Sequence, residues 1–473
     1  MNSYLDSVLM MRHELSLVFI LMGVFVADLF VSEADRPRIH PLACGLLFVH
    51  TLWMICFPGS SGTAFGGMYA TGTMIVFVKG ILNAGTLLMF LQADSFLAKP
   101  GVSIRRGEFY VISLFTLLGM YLMVSAEHFL LFYIGMETAS IPLATLVAIE
   151  KHNLSSVEAS AKYILSTAFA SGVMLFGLSF LYGASGTLYY GDMMPFLLHS
   201  PALLFGMVLF LTGIFFKISL APFHLWTADV YEGSSVPVMG YLSGVSKAAA
   251  VFALFVVLGR VFSGLIEEWQ SLLWWIILIT ITLGNLFAIR QKNLKRFFAF
   301  SSISQAGYVL LGILAGTPEG IQASLFFLLV YLFSNFAAFG VLAAVQAKAG
   351  KIGMEDYNGF YQTHPRMTWV MTLALFSLAG IPPTAGFFSK FFIFMSAAAQ
   401  GYYGLVILAL LNTILSLYYY LLIVKAMFLN HSDNPIPFFK TDLWNRISQW
   451  VCVAGILLLG LVPFIYQYIG SLT

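Results

Sequence analysis

Four charged residues stand inside long apolar runs: Glu137 in LLFYIGMETASIPLATL, Lys217 in FFKISLAPFHLW, Lys247 in SKAAA and Lys390 in GFFSKFF. A lysine at the centre of a membrane helix costs about 2.5–3.5 kcal/mol on insertion scales, and such residues usually pair or line a water-filled path. Desolvation favours the neutral amine, while a nearby carboxylate favours the ammonium. A lysine balanced between the two can take up and release a proton, the elementary step of a relay. A single Glu–Lys pair could equally do no more than pin two helices together. Four interior ionisable groups in separate spans favour the relay.

Two of the lysines lie beside helix breakers. Pro222 follows Lys217 in the same apolar run, and a proline there removes a backbone donor and clashes with the preceding turn. Gly380, Pro382, Pro383 and Gly386 precede Lys390 in SLAGIPPTAGFFSKFF. Backbone freed by a break at membrane depth is tolerated only where protein or water satisfies it. Each break therefore marks a hydrated cavity. His224 directly follows the first break and could extend the relay or serve as a satisfied structural histidine. Gln305, in SSISQAGY, can orient water but cannot titrate. Tyr418, Tyr419 and Tyr420 read as packing and interface anchors. Asp229 and Glu232 read as solvated or helix-capping, Asp28 as interfacial, and Lys79 as a residue that can snorkel at the outer edge of its span.

These residues need a membrane scaffold, and composition supplies one. Hydrophobic residues make up 60% of the chain, charged residues only 9%, and mean hydropathy is +0.89. A soluble protein carries about 25% charged residues. The fold class is an all-α polytopic membrane protein, because the apolar runs are continuous and not alternating as in an outer-membrane barrel. The net charge of +2 and the lack of basic clusters give no sign of nucleic-acid binding. Cys44, Cys56 and Cys452 lack metal-ligand spacing, and no haem, C-x-x-C or dinucleotide motif suggests a redox site. The N-terminus lacks the marks of a cleaved signal, so its first apolar segment is expected to remain as a span.

A ruler of about 20 apolar residues per helix gives about fourteen spans. The first eight fall near 15–30, 41–57, 76–96, 109–125, 129–149, 159–182, 202–226 and 236–261. The others fall near 272–289, 297–315, 321–346, 368–397, 403–428 and 449–469. Lys79, Lys217, Lys247 and Lys390 lie within spans, and Arg12 and Arg260 fall on one side. The rest of the 23 basic residues, from Arg36 to Arg446, fall on the other. By the positive-inside rule both termini face outward. The two breaks are five spans apart. That odd offset reverses direction through the membrane and suggests inverted repeats. The expected organisation is helices one to three in 1–107, a five-helix repeat in 108–262, an inverted five-helix repeat in 263–430, and a last helix in 431–473.

APFHLWTADVYEGSSVPV, at 221–238, resembles the signature after the broken seventh helix of the antiporter-like membrane subunits of respiratory complex I. GMETASIP, SKAAA, LKRFFAFSSISQAGY and LAGIPPTAGFFSKF follow in that family's order. The F-H-x-W and D-V-Y-E-G forms are most similar to its NADH-quinone oxidoreductase subunit N branch, and the resemblance covers nearly the whole chain. It implies fourteen helices with two inverted five-helix units, broken helices seven and twelve, and proton translocation in a bacterial inner membrane. NADH, FMN, iron-sulfur clusters and quinone would then act in partner subunits, with no cofactor in this chain. The implied partners are subunit M, the small subunits A, J and K, and the lipid bilayer. By position Glu137, Lys217, Lys247 and Lys390 match the family's fifth-, seventh-, eighth- and twelfth-helix relay residues. Two departures stand out: Ala228 where the family usually has proline, and Gln305 where many relatives have a titratable histidine. A secondary cation/proton antiporter subunit and a non-pumping scaffold are the other readings open to this fold.

Overall fold

The computed structural model describes residues 7–193 and 201–472. Among them, thirteen helices are long and apolar enough to cross a membrane. A further span is split into two 15-residue helices, Pro365–Ala379 and Ala385–Ala399. Large apolar side chains such as Phe19, Phe30 and Phe169 lie 75%, 85% and 76% exposed, an arrangement that requires a lipid surround. The chain is a polytopic membrane protein.

The first group of helices is α1 (Arg12–Phe30), α2 (Ile39–Cys56), α3 (Thr73–Leu97), α4 (Arg106–Val124), α5 (Phe129–Val147), α6 (Leu154–Ser185) and α7 (Pro201–Ile218). A short hairpin of β1 (Gly62–Ala64) and β2 (Tyr69–Thr71) precedes α3, with Thr63 opposite Ala70. After α7 come α8 (Leu225–Gly233) and α9 (Val236–Arg260), whose segment Tyr241–Ser246 is π-helical. Then follow α10 (Ile266–Ile289), α11 (Leu294–Ala315), α12 (Pro318–Ala349), α13 (Pro365–Ala379), α14 (Ala385–Ala399), α15 (Tyr403–Phe428), α16 (Leu443–Leu461) and α17 (Phe464–Gly470). Side-chain caps set several starts: Asn153, Asn293 and Thr317 accept backbone N–H groups of α6, α11 and α12.

Two compact units divide the chain. One comprises residues up to Phe90, Lys99–Ile218 and Val245–Leu272; the other comprises Leu91–Ala98, Ser219–Gly244 and Leu273 onward. In the first unit α4 packs on α5 and α6 packs on α7. Glycine makes both contacts close. A Cβ on Gly119 would run into the backbone of Ala139, and one on Gly177 into that of Phe210. In the second unit α12 is the central helix, packed against α11, α13, α14 and α16. That position explains why 94% of its most apolar stretch is buried.

Two boundaries differ from the sequence reading, and one break falls where it was expected. The helix expected over 202–226 stops at Ile218, and α8 begins only at Leu225. The span expected over 449–469 runs from Leu443 to Leu461, where Pro463 separates it from α17. The span expected over 368–397 is interrupted at 380–384, at the break that Gly380, Pro382 and Pro383 marked. Proline explains all three, through its missing N–H and the restriction it places on the residue before it.

Candidate functional site

The first break follows Lys217 at once. Lys217 occupies the last turn of α7, where the unpaired carbonyls of a helix end favour a cation. Ser219 then adopts φ 68°, a left-handed conformation that costs a non-glycine residue about 1–3 kcal/mol and clusters at functional sites. In the second unit the freed N–H of Ala221 donates to Thr280 Oγ1 at 3.0 Å. The Ala221–Pro222 peptide is cis. His224 is buried at the head of α8 and makes no cap hydrogen bond there.

Lys217 is 4% exposed, and its Nζ donates to Ser140 Oγ at 2.5 Å. Ser140 Oγ in turn donates to Met136 O at 2.6 Å. Glu137 lies one helical turn before Ser140 on α5, so the two share a face. Its Oε1 accepts from Ser171 Oγ of α6 at 2.5 Å. The buried hydroxyl of Tyr163, also on α6, faces Ser140 and Thr167. Among the described residues no ion pair joins Glu137 to Lys217, and each charge ends on a serine. Lys217, Ser140, Tyr163, Ser171 and Glu137 form one polar cluster among three helices. Its shape follows from the glycine-mediated approach of α6 to α7, which brings two polar helix faces together.

Lys247 is 3% exposed, directly after the π-helical segment of α9. Such segments are frequent at functional sites. Its part of α9 packs on α4 and α7 within the first unit.

The second break carries its lysine on the other side. Lys390 lies on α14, 4% exposed, and folds back so that Nζ donates to Ala379 O at 3.1 Å. Ala379 is the last residue of α13, so the ammonium meets the carbonyl end of a half-helix. It also stands 4.9 Å from the ring centroid of Tyr308, within range of a cation–π contact. Gln305 Nε2 donates to the neighbouring Leu378 O at 3.1 Å and to Tyr420 Oη at 3.2 Å. A small cavity lined by Gln305, Ser334, Ser377, Ser389 and Lys390 lies beside them. The Pro382–Pro383 peptide is cis.

The three tyrosines divide between the lipid face and the packed interior. Tyr418 is 56% exposed, but Tyr419 and Tyr420 are 0% and 1% exposed. Tyr419 Oη donates to Asn285 Oδ1 at 2.9 Å, and Tyr420 Oη bonds Ser301 Oγ at 2.5 Å. Helical geometry turns successive residues about 100° apart, so one tyrosine meets lipid and two face inward. Asp229 and Glu232 are not simply solvated: Arg296 bridges them at 2.8 and 2.7 Å, and Glu232 accepts from Asn293. Lys79 does not snorkel. It is fully buried and pairs with Glu14 at 2.5 Å. Glu14 escaped notice because α1 begins at Arg12, earlier than expected. The one available signal was a lysine placed only a turn or two inside the apolar run of α3. Ser140 could have been found from its spacing to Glu137; Ser171 carries no signal of its own.

The site's residues lie within a recognisable sequence family. Residues 126–416 match the family described as NADH:quinone oxidoreductase/Mrp antiporter, TM. The subunit N of NADH-quinone oxidoreductase from Phocaeicola vulgatus is 51% identical over 99% of both chains. That of Azobacteroides pseudotrichonymphae is 52% identical over 98% of both. The chain belongs to this family. More narrowly, it belongs to the NADH-quinone oxidoreductase subunit N group, whose members are subunits of an enzyme. Among solved structures, a chain of respiratory complex I from Thermus thermophilus superposes with TM-score 0.80 at 30% identity, covering 96% of this chain and 97% of that one. A chain of the Mrp complex from Dietzia sp. DQ12-45-1b superposes at 0.87 with 20% identity, covering 98% and 96%, and shares the fold. The family match spans α5 to α15, so it includes Glu137, Lys217, Lys247 and Lys390.

Proposed function

We propose that this chain is the proton-translocating subunit N of a complex I-type NADH:quinone oxidoreductase in a bacterial inner membrane. The observation that carries the proposal is the polar cluster at the first break: a buried ammonium on a helix end, linked to a serine, with a carboxylate one turn away. Water and serine hydroxyls between such groups can pass a proton without moving the charged side chains far. Lys217 is the central carrier and Glu137 modulates it. Lys247 connects it laterally, Lys390 serves the exit half-channel, and His224 assists. Two inverted five-helix repeats, 108–262 and 263–430, organise the path, and the recurrence of a buried lysine at each broken helix supports them. The bias of Lys and Arg to one side supports outward-facing termini.

Electron transfer occurs elsewhere: NADH, FMN, iron-sulfur clusters and quinone belong to other subunits, and subunits M, A, J and K are the membrane-arm neighbours. The test is a complex carrying Lys217→Met or Lys390→Met, reconstituted in vesicles. Quinone-coupled proton uptake is expected to be lost with assembly preserved. Full pumping by an assembled Lys217→Met complex would overturn the assignment. Co-purification of the chain with quinone-reducing subunits distinguishes it from a secondary cation/proton antiporter. Variants that only ever disturb assembly would favour the scaffold.

A further inference from the structure

The first unit holds a second buried ionisable cluster, outside the broken helices. Lys79 Nζ donates to Glu14 Oε1 at 2.5 Å and to Tyr69 Oη at 3.2 Å, while Tyr69 Oη donates to Glu14 Oε2 at 2.9 Å. Glu14 and Lys79 are 2% and 0% exposed. Lys79 also stands 5.3 Å from the ring centroids of both Tyr69 and Tyr121. Tyr121 Oη donates to Asn83 Oδ1 at 2.6 Å and lies 3.4 Å from His50 Nε2. On its other side, His50 Nδ1 lies 3.0 Å from Ser16 Oγ, which donates to His13 O at 2.9 Å.

The directions of these bonds matter. Ser16 and Tyr121 each spend their single proton on another acceptor, His13 O and Asn83 Oδ1. A neutral imidazole has one N–H and one lone pair, so it bonds both hydroxyls when one of them turns its proton to the ring. Ser16, His50 and Tyr121 thus form a chain in which a proton arriving at one end can be matched by one leaving at the other. Two neighbouring buried atoms, His13 Nδ1 and Asn83 Nδ2, have no protein hydrogen-bond partner. Buried polar atoms are almost always bonded, so both point to water as their partner. His13 Nε2 donates to Pro58 O in the loop before the hairpin. Beside that hairpin lies a cleft of about 640 Å³, lined by Gly67, Thr71, Thr73, Glu127, Asp192 and Arg260.

We infer that His50, Tyr121, Lys79, Tyr69 and Glu14 form a proton-transfer station at the hairpin end of α1–α4. Its ligand is a proton delivered by water from the cleft side. An O–H bond of hydronium breaks as one forms on Ser16 Oγ, whose own proton passes to His50 Nδ1; the Nε2 proton passes to Tyr121 Oη, which releases its own to the water beside Asn83, so the ring starts and ends neutral. The adjoining ion pair holds the cluster's other charges in balance: Glu14 opposes Lys79, and Arg12 stands beyond them over Trp53, 5.8 Å from its ring. The inference rests on the reading of the chain as a proton translocator.

The test uses the whole reconstituted complex with three variants: Lys79→Met, the double substitution Glu14→Leu with Lys79→Leu, and His50→Gln. Lys217→Met is the reference. Assembly, quinone reduction and proton uptake are read together over a range of pH. The double variant removes both buried charges without leaving one unpaired. His50→Gln keeps a donor and an acceptor but cannot titrate. Assembled His50→Gln and double-variant complexes are expected to lose coupled proton uptake as deeply as Lys217→Met does. Full uptake with an unchanged pH profile in either would overturn the station and leave a structural clamp. Where the charge variants fail to assemble, His50→Gln decides alone. Loss of pumping in Lys217→Met alone keeps the proposed function and removes the station; full pumping in Lys217→Met removes the function itself.

Discussion

Lys217 and Lys390 use the same electrostatic device and different neighbours. Both ammonium groups sit where a broken helix ends in unpaired carbonyls. Lys217 belongs to that last turn, whereas Lys390 reaches back from the second half-helix to Ala379 O. Around Lys217 stand hydroxyls and, one turn from Ser140, the carboxylate of Glu137. Around Lys390 stand the face of Tyr308 and the amide of Gln305. The first lysine has a full counter-charge in its cluster; the second is held by dipoles and a π face. The lesson is that burial and a helix end suffice to place a lysine in a membrane, with or without a counter-charge in its cluster.

The comparison can be broken by removing the counter-charge. Glu137→Gln keeps the bond to Ser171 but deletes the charge. Coupled turnover is expected to fall roughly tenfold, which corresponds to about 1.4 kcal/mol of lost stabilisation. Proton uptake per quinone reduced measures it, and an unchanged rate would mean that Glu137 is not coupled to Lys217. A smaller effect is expected in the second unit. Gln305→Leu removes the amide donor to Leu378 O and one of the two partners of Tyr420 Oη, at a cost of about 1–3 kcal/mol in stability. Thermal unfolding of the purified complex measures that cost. Turnover should change less than with Glu137→Gln, because a dipole and not a charge has been removed.

The smallest effect concerns a loop. His364, at the start of α13, is stacked on Phe360 and Phe438, and its Nε2 accepts from Phe439 N at 3.1 Å. Burial holds this histidine below its ordinary value of 6.5. Between the lowered value and 6.5 the unfolded segment binds more protons than the folded one, so stability falls as pH falls through that window. Hydrogen-exchange protection factors around residues 436–440, corrected for intrinsic exchange, should therefore fall as pH drops from above 6.5 to below it. A His364→Phe variant, which keeps the stacking and cannot titrate, should lose the pH dependence.

Much of this was legible in the linear chain, for reasons that can be named. A charge in an apolar run is conspicuous because lipid makes it costly, so Glu137, Lys217, Lys247 and Lys390 stood out. Pro222 and Pro382–Pro383 marked the breaks because proline cannot complete a helical ladder. The serines' role was not legible, although the spacing of Ser140 to Glu137 put the two on one face. Ser140 and Ser171 are common small residues in helices, and only the approach of α5, α6 and α7 turns them into the partners of Lys217 and Glu137. Lys79 was misread because span ends drift by about 2–4 residues in a sequence reading. That shift is about one helical turn, enough to move a side chain from the outer edge of a span to its buried wall. Which of Tyr418, Tyr419 and Tyr420 packs inward was not legible, since three tyrosines in a row point in three directions.

The sequence by itself determined that the chain spans a membrane many times, where its helices break, and which side chains are costly enough there to need a purpose. Those properties follow from transfer free energies and backbone chemistry, which act residue by residue. Only the tertiary structure decided the partners. It ended Lys217 on Ser140 in place of Glu137, turned Lys390 back to a carbonyl, and brought Glu14, 65 residues away in sequence, onto Lys79. Hydrogen bonds form or fail over a few tenths of an ångström, and that accuracy comes from helix packing, not from the order of residues along the chain.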